Sequence, residues 1–252
     1  MNIHRREVIK GYIQDKGDVQ LRELEAMFPE ISSMTLRRDM AYLEGKGIII
    51  RTRGGAISMT RLSGLGEDIY SLRAKENIDA KMKVAKKAVE LIETGRSIYI
   101  DSGTTMMCLA KVIPDENLSI LTSGPNIAME IIKNPKPSIT IIGGQLSRNN
   151  LSISGLYSLE FLKNINIDIA FMATSGFSLE SGFTSGNFGE AELKKNIIRK
   201  ARKTILLMAS DKIDRNMPFT FANLKNIDVL VCDIEIPEAI ARAAMANQVE
   251  VY

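Results

Sequence analysis

From residue 97 to residue 232, six short runs rich in β-branched and aliphatic residues alternate with helical patterns, and this alternation constrains the fold more than any other feature of the chain. The runs lie at 97–100, 118–121, 138–142, 167–172, 204–208 and 229–232, with helical spacing at 126–133 and 188–203 between them. Continuous apolar strands separated by helices require a mostly parallel sheet covered on both faces, because a parallel crossover needs a helix and that helix must bury its apolar stripe on the sheet. Ahead of the first run, Ile78, Met82, Ala85, Val89 and Ile92 form a further helical stripe that ends at Gly95. The expected fold of residues 67–252 is a doubly wound α/β domain.

A polar loop follows each of five runs. These are Asp101-Ser102-Gly103-Thr104-Thr105, Thr122-Ser123-Gly124, Gly143-Gly144, Thr174-Ser175-Gly176 and Ser210-Asp211-Lys212. Ligands of open α/β sheets bind outside the carboxyl ends of the strands, so the five loops are expected to face one crevice. Asp101 is suited to accept hydrogen bonds from sugar hydroxyls. Gly103, Thr104 and Thr105 at a helix start offer N–H groups and hydroxyls to an anion, and Lys194 and Lys212 offer positive charge. The candidate ligand set is Asp101, Ser102, Gly103, Thr104, Thr105, Ser123, Gly143, Gly144, Gly176, Lys194 and Lys212. Taken singly, each has an ordinary alternative as a turn glycine, a helix cap or a solvated lysine; their convergence is the argument.

The first 57 residues follow a different pattern. Val8, Ile9, Tyr12 and Ile13 share one helical face over residues 5–15; Leu21, Leu24 and Phe28 mark a second helix; Leu36, Met40 and Leu43 mark a third. Ser33 is a candidate N-cap, Gly45 and Gly47 are candidate stops, and Ile48 to Ile50 suit a strand after which Thr52 to Gly55 turn the chain back. This order is that of a winged helix-turn-helix, whose third helix enters the major groove. Charge supports it locally. Residues 33–56 carry Arg37, Arg38, Lys46, Arg51 and Arg53 against Asp39 and Glu44, whereas residues 61–252 are nearly balanced at 23 basic to 22 acidic. Guanidinium groups on an exposed helix and wing suit guanine edges and phosphates. A polar, small stretch at 58–66 separates the two domains as a linker.

Several classes are disfavoured. His4 is the single histidine, which removes histidine-based triads and makes a histidine-rich metal site implausible. Cys108 and Cys232 stand far apart without a CxxC spacing and read as buried free thiols. The chain has no run of eighteen apolar residues and starts directly on an amphipathic helix, so a cytoplasmic protein without a membrane partner is expected. No metal and no cofactor is expected.

The motifs GDVQLRELEAMF (17–28), SSMTLRRDMAYLEGKG (32–47) and RTRGGA (51–56) resemble the N-terminal signature of the DeoR family of bacterial transcriptional regulators. Arg53 stands where that family often has His, and Pro29-Glu30-Ile31 slightly enlarges the turn. Arg73 and Lys81, IYIDSGTT (98–105), IIGG (141–144), the Gly155 segment, DIAFMATSG (168–176), EAELKK (190–195) and ASDK (209–212) resemble the family's C-terminal domain, with departures at Ser123 and within ASDK. The resemblance implies double-stranded operator DNA as a partner of Ser33, Thr35, Arg37, Arg38, Arg51 and Arg53. It also implies a sensor domain similar in fold to sugar-phosphate isomerases and responsive to a phosphorylated sugar or polyol. A repressor of a sugar or polyol utilisation operon, working as a homo-oligomer (dimer or tetramer), is the resulting expectation. The alternative is an isomerase-like enzyme with a DNA-binding appendage. It is disfavoured because the loop at 173–177 has no carboxylate, leaving Glu190 and Asp101 as the bases to consider.

Overall fold

The structure, a computed structural model, describes residues 2–52, 54–58 and 70–252. Arg53 and the linker residues 59–66 lie outside the described residues. The chain divides into two compact units, Met1–Leu65 and Gly66–Tyr252.

In the first unit α1 (Asn2–Lys16) leads into β1 (Asp18–Gln20), then α2 (Leu21–Met27), α3 (Ser33–Gly45), β2 (Ile49–Arg51) and β3 (Gly55–Ser58). Ile9, Ile13, Leu21, Leu24, Leu36, Met40, Leu43 and Ile49 close one core. The spacing of Leu36, Met40 and Leu43 therefore buries the face it predicts, while Val8 turns outward. The strand β1 is an addition to the expected order: it pairs antiparallel with β3, which also pairs with β2. Gly55 is required by this pairing, since a Cβ there would stand 2.0 Å from the Val19 carbonyl oxygen.

The second unit opens with α4 (Tyr70–Arg73) and α5 (Ile78–Val89). It continues through β4 (Ser97–Ile100), α6 (Thr104–Ala110), β5 (Ser119–Thr122), α7 (Pro125–Ile131) and β6 (Ser138–Ile141). A ribbon of β7 (Gln145–Leu146) and β8 (Ile153–Ser154) precedes α8 (Leu156–Leu162) and β9 (Ile167–Ala173). Then come β10 (Gly176–Ser178), β11 (Gly182–Ser185), α9 (Phe188–Lys200), β12 (Ala201–Met208), β13 (Phe219–Ala222), β14 (Val229–Cys232), α10 (Glu238–Ala246) and β15 (Glu250–Val251). The main sheet has seven strands in the order β15-β14-β12-β9-β4-β5-β6, all paired in parallel. Two apolar clusters cover its faces, one holding Tyr99, Met172, Leu206 and Leu230, the other Ile98, Phe171, Ile205 and Val231. Adjacent residues of one strand thus bury on opposite faces, which is why these strands read as unbroken apolar runs.

Two expectations change. The helix expected to run to residue 203 stops at Lys200, because Ala201 and Lys203 already pair with Ile167 and Ile169. On α5 the buried stripe is Lys81, Val84, Ala85 and Ala88, whereas Ile78 is 49% exposed. The stripe rotates because Lys81 turns its ammonium inward, donating to the carbonyls of Arg73 and Glu76 (2.7 Å to Glu76). Cys108 and Cys232 are buried free thiols, as expected.

Candidate functional sites: a nucleic-acid interface and a ligand cleft

The reading helix α3 is capped by Ser32, whose Oγ accepts the Thr35 backbone N–H at 3.3 Å. Ser33 is therefore not the cap but the first helical residue, and it is exposed. Either serine satisfies the N-cap preference; the extended backbone of Ser32 (φ −65°, ψ 146°) decides between them. Thr35 is half-buried with its hydroxyl 3.0 Å from Ser32 Oγ, while Arg37 and Arg38 are exposed. On the wing, the Arg51 guanidinium donates to Glu44 Oε2 at 2.6 Å and the Arg51 N–H donates to Glu44 Oε1 at 3.0 Å. These two donors hold the Glu44 carboxyl below the usual carboxylate range. Arg37, Glu44, Arg51 and Thr52 line a groove between helix and wing.

One acidic residue fixes the angle of α3. Asp39 is 1% exposed and accepts from Arg5 Nε at 2.6 Å and Arg6 Nε at 2.7 Å, both on α1. The Arg6 guanidinium also stacks 4.1 Å from the Tyr42 ring centroid. A carboxylate on the inner side of α3 thus ties the helix to α1 and leaves Arg37 and Arg38 facing outward.

In the second unit the strand order reverses between β4 and β9: β5 and β6 extend from β4 in one direction, β12, β14 and β15 from β9 in the other. That is the switch point at which α/β sheets open a crevice. A narrow cleft lies there, lined by Arg73, Ser102–Thr105, Asn150, Ala173–Ser175, Glu190, Lys194 and Lys212. Gly103 enters α6 at φ 108°, a conformation that favours glycine, and the chain then turns into the helix at Thr104. Ser102 is 2% exposed and its hydroxyl has no hydrogen-bond partner among the described residues.

Two of the lining residues, Glu190 and Lys194, belong with Asp101 to a buried charge triad. Lys194 forms an ion pair with Asp101, meets Glu190 Oε1 at 3.1 Å and donates to the Ala173 carbonyl at 2.9 Å. Burial opposes the Lys194 cation, yet the two carboxylates outweigh it and hold its pKa above the ordinary lysine value. Burial pushes the Asp101 carboxyl up, with Lys194 opposing and Glu190 reinforcing the shift. Asp101 also accepts the backbone N–H groups of Ser102 at 2.9 Å and Ala173 at 3.0 Å, which bridges the ends of β4 and β9.

This geometry corrects several expected roles. Asp101 accepts from Lys194 and from the Ser102 and Ala173 N–H groups and does not line the cleft, so it is placed as a brace rather than as an open acceptor for sugar hydroxyls. The Lys194 charge is matched by two carboxylates, so the cation that lines the cleft is already paired within the protein. Ser123 is buried with its Oγ 2.9 Å from Tyr99 Oη. The Gly143 carbonyl accepts from Ser158 Oγ at 2.7 Å, and a Cβ on Gly144 would stand 2.4 Å from the same oxygen. Gly176 belongs to β10, where a Cβ would meet the Arg215 carbonyl oxygen at 2.2 Å. These four residues do not line the cleft, since the loops after β5 and β6 lie to one side of the switch point and Gly176 is consumed by pairing. Ser102, Gly103, Thr104, Thr105, Lys194 and Lys212 do line it, with Lys212 ion-paired to Asp211 at 2.8 Å. Arg73, Asn150 and Glu190 join them. Asn150 is 3% exposed and donates to Glu190 Oε2, which leaves both Glu190 oxygens engaged. Asn150 sits in an irregular segment with no periodicity, so no sequence signal marks it.

Together these features define a helix-turn-helix unit joined in one chain to an α/β unit with a polar switch-point cleft. Residues 5–61 match the DeoR-like helix-turn-helix domain, and residues 76–234 match the DeoR C terminal sensor domain. The HTH-type transcriptional regulator GlpR of Haloferax volcanii is 32% identical over 86% of this chain and 85% of its own. A putative aga operon transcriptional repressor of Escherichia coli O157:H7 is 30% identical over 92% of this chain and 87% of its own. The HTH-type transcriptional regulator IolR of Bacillus subtilis is 29% identical over 100% of this chain and 99% of its own. The protein belongs to the DeoR family of helix-turn-helix transcriptional regulators, and its second unit is a sensor domain rather than an enzyme. Among the described residues no helix is long and apolar enough to cross a membrane, and no group of three or more His, Cys, Asp or Glu residues is placed to hold a metal.

Proposed function

We propose that the protein represses a sugar or polyol utilisation operon, and that a phosphorylated intermediate of that route occupies the switch-point cleft and changes operator affinity. Residues 1–57 read the operator through Arg37, Arg38 and Arg51, with Ser33 and Thr35 toward the phosphates; residues 67–252 sense the ligand. The observation that carries the sensor reading is the unpartnered, buried Ser102 hydroxyl beside Arg73, Lys212 and the backbone turn at Gly103–Thr105. A buried hydroxyl without a partner is costly, and a phosphate oxygen supplies the missing acceptor. Burial lowers the Lys81 pKa and the Lys212 cation lowers it further, while Asp211, ion-paired with Lys212 at 2.8 Å, opposes the shift.

The ligand acts by its differential affinity for two arrangements of the protein, and pairing of chains doubles the half-sites engaged. A homo-oligomer, dimer or tetramer, working in the cytoplasm completes the proposal. The test is a thermal-shift screen of the full chain against phosphorylated sugars and polyols and their unphosphorylated counterparts. A ligand at a hundredfold excess over Kd adds about 2.7 kcal/mol. One phosphorylated compound that raises the midpoint and is recovered unconverted supports the sensor; stabilisation by the unphosphorylated form alone overturns the phosphate assignment.

A further inference from the structure

Five residues of α3 share its outward side: Met34, Arg37, Arg38, Ala41 and Gly45, at spacings i, i+3, i+4, i+7 and i+11. Two of them carry guanidinium groups, and one, Met34, is a large apolar side chain left 64% exposed. Met34 makes no contribution to the core, which is closed by Leu36, Met40 and Leu43. It stands two residues past the Ser32 cap, and side chains on a helix lean toward the N-terminus, so Met34 projects over the leading end of α3. In helix-turn-helix readers, that end contacts the base edges.

We propose that Met34 is a specificity-determining residue that reads a pyrimidine C5-methyl group in the major groove, thymine in the operator. The inference rests on α3 being the reading helix. The chemistry selects the ligand: the thymine methyl is the apolar group that an unmodified major groove presents, whereas every other feature on its floor is a hydrogen-bond donor or acceptor. Methionine is unbranched and polarizable, so it covers a methyl without demanding one rotamer. Its neighbours cannot substitute, because Arg37 and Arg38 seek acceptors and Ala41 is too short to extend past them. Each half-site therefore contains a thymine next to the bases or phosphates held by the arginines.

The test uses the full-length protein and a duplex selected from a random library by the wild type. Each thymine is replaced in turn by uracil, which removes only the methyl. Wild type is expected to lose about fourfold in affinity at one position per half-site, equal to about 0.8 kcal/mol for one buried methyl. Met34→Ala is expected to bind the thymine and uracil duplexes equally at that position and to keep the wild-type response at all others. Replacing the same base by 5-methylcytosine, with its partner changed to guanine, separates methyl reading from recognition of the remaining edge. Retention of Met34-dependent discrimination against unmethylated cytosine supports the methyl contact. The inference is overturned if Met34→Ala keeps the full uracil penalty, or if no thymine-to-uracil change affects wild type. Arg38→Ala is the control for the underlying reading: if it binds the selected duplex as wild type does, α3 is not the reading helix, whatever Met34 does. Met34 is exposed, so its truncation leaves the fold intact, which circular dichroism checks.

Discussion

Both units bury a carboxylate, and they balance it in opposite ways. In the first, one aspartate serves two cations: Asp39 accepts from Arg5 and Arg6, whose side chains remain 10% and 27% exposed. In the second, one lysine serves two carboxylates, with Lys194, Asp101 and Glu190 all buried. The first arrangement leaves a positive surplus at the surface of a unit that meets a polyanion. The second leaves a negative surplus at a cleft that is also lined by Arg73 and Lys212, and under the proposed function an incoming anion is held on the side of those two cations. Burying a charge does not by itself define a site; the sign left over, and where it is left, separates a brace for a DNA-reading helix from a brace for a ligand cleft.

Breaking the second balance has the largest expected effect. Lys194→Met leaves two buried carboxylates without their cation and is expected to destabilise the sensor unit by about 3–5 kcal/mol. Hydrogen-exchange protection of β4 and β9 in the full chain reads it, and unchanged protection there contradicts the triad. The sign with pH follows from the raised pKa. The Lys194 contribution is fully present below the ordinary value of 10.5 and is lost as pH rises through the higher folded value, so Lys194→Met removes this alkaline limb of the stability profile.

Breaking the first balance costs less, because its arginines are partly hydrated. Asp39→Ala is expected to cost about 2–3 kcal/mol in the N-terminal unit, read from protection of α1 and α3. The sensor unit is expected to bind ligand as before; a loss of ligand affinity would contradict the independence of the two braces. Arg38→Ala leaves stability unchanged and lowers specific operator affinity by about 1–3 kcal/mol, measured by gel shift against a scrambled duplex. Smallest is Glu44→Gln, which releases Arg51 from its partner and removes a negative charge near the phosphates. Operator affinity is expected to rise by at most about fivefold, and a fall would show that Glu44 positions Arg51 rather than competing for it.

Much of this was legible in the sequence where one face of one element decides the outcome. The apolar runs placed the six central strands within a few residues, and Leu36, Met40 and Leu43 placed the inner face of α3. What was not legible came from partners distant in the chain. Asp39 reads as one more surface charge on a helix, and the arginines that bury it lie 33 and 34 residues earlier. The sheet of β10, β11 and β13 is built from three- and four-residue strands rich in glycine and hydroxyls, and β11 pairs with β13 through partners such as Thr184 and Thr220 that are distant in the chain. The five loops looked equivalent because sequence gives their order but not the strand order. Only the reversal between β4 and β9 shows why Ser102–Thr105 and Lys212 line the cleft while Ser123, Gly143 and Gly144 do not.

The most direct measurement of the central claim is operator affinity of the full chain titrated with a phosphorylated effector found by stability screening, for wild type and for Lys212→Ala. The account predicts that the phosphorylated compound shifts wild-type affinity, that its unphosphorylated counterpart does not, and that Lys212→Ala needs about tenfold more effector while binding DNA normally without it. An identical response from Lys212→Ala, or an equal response to the unphosphorylated compound, would contradict a phosphate-sensing cleft at the switch point.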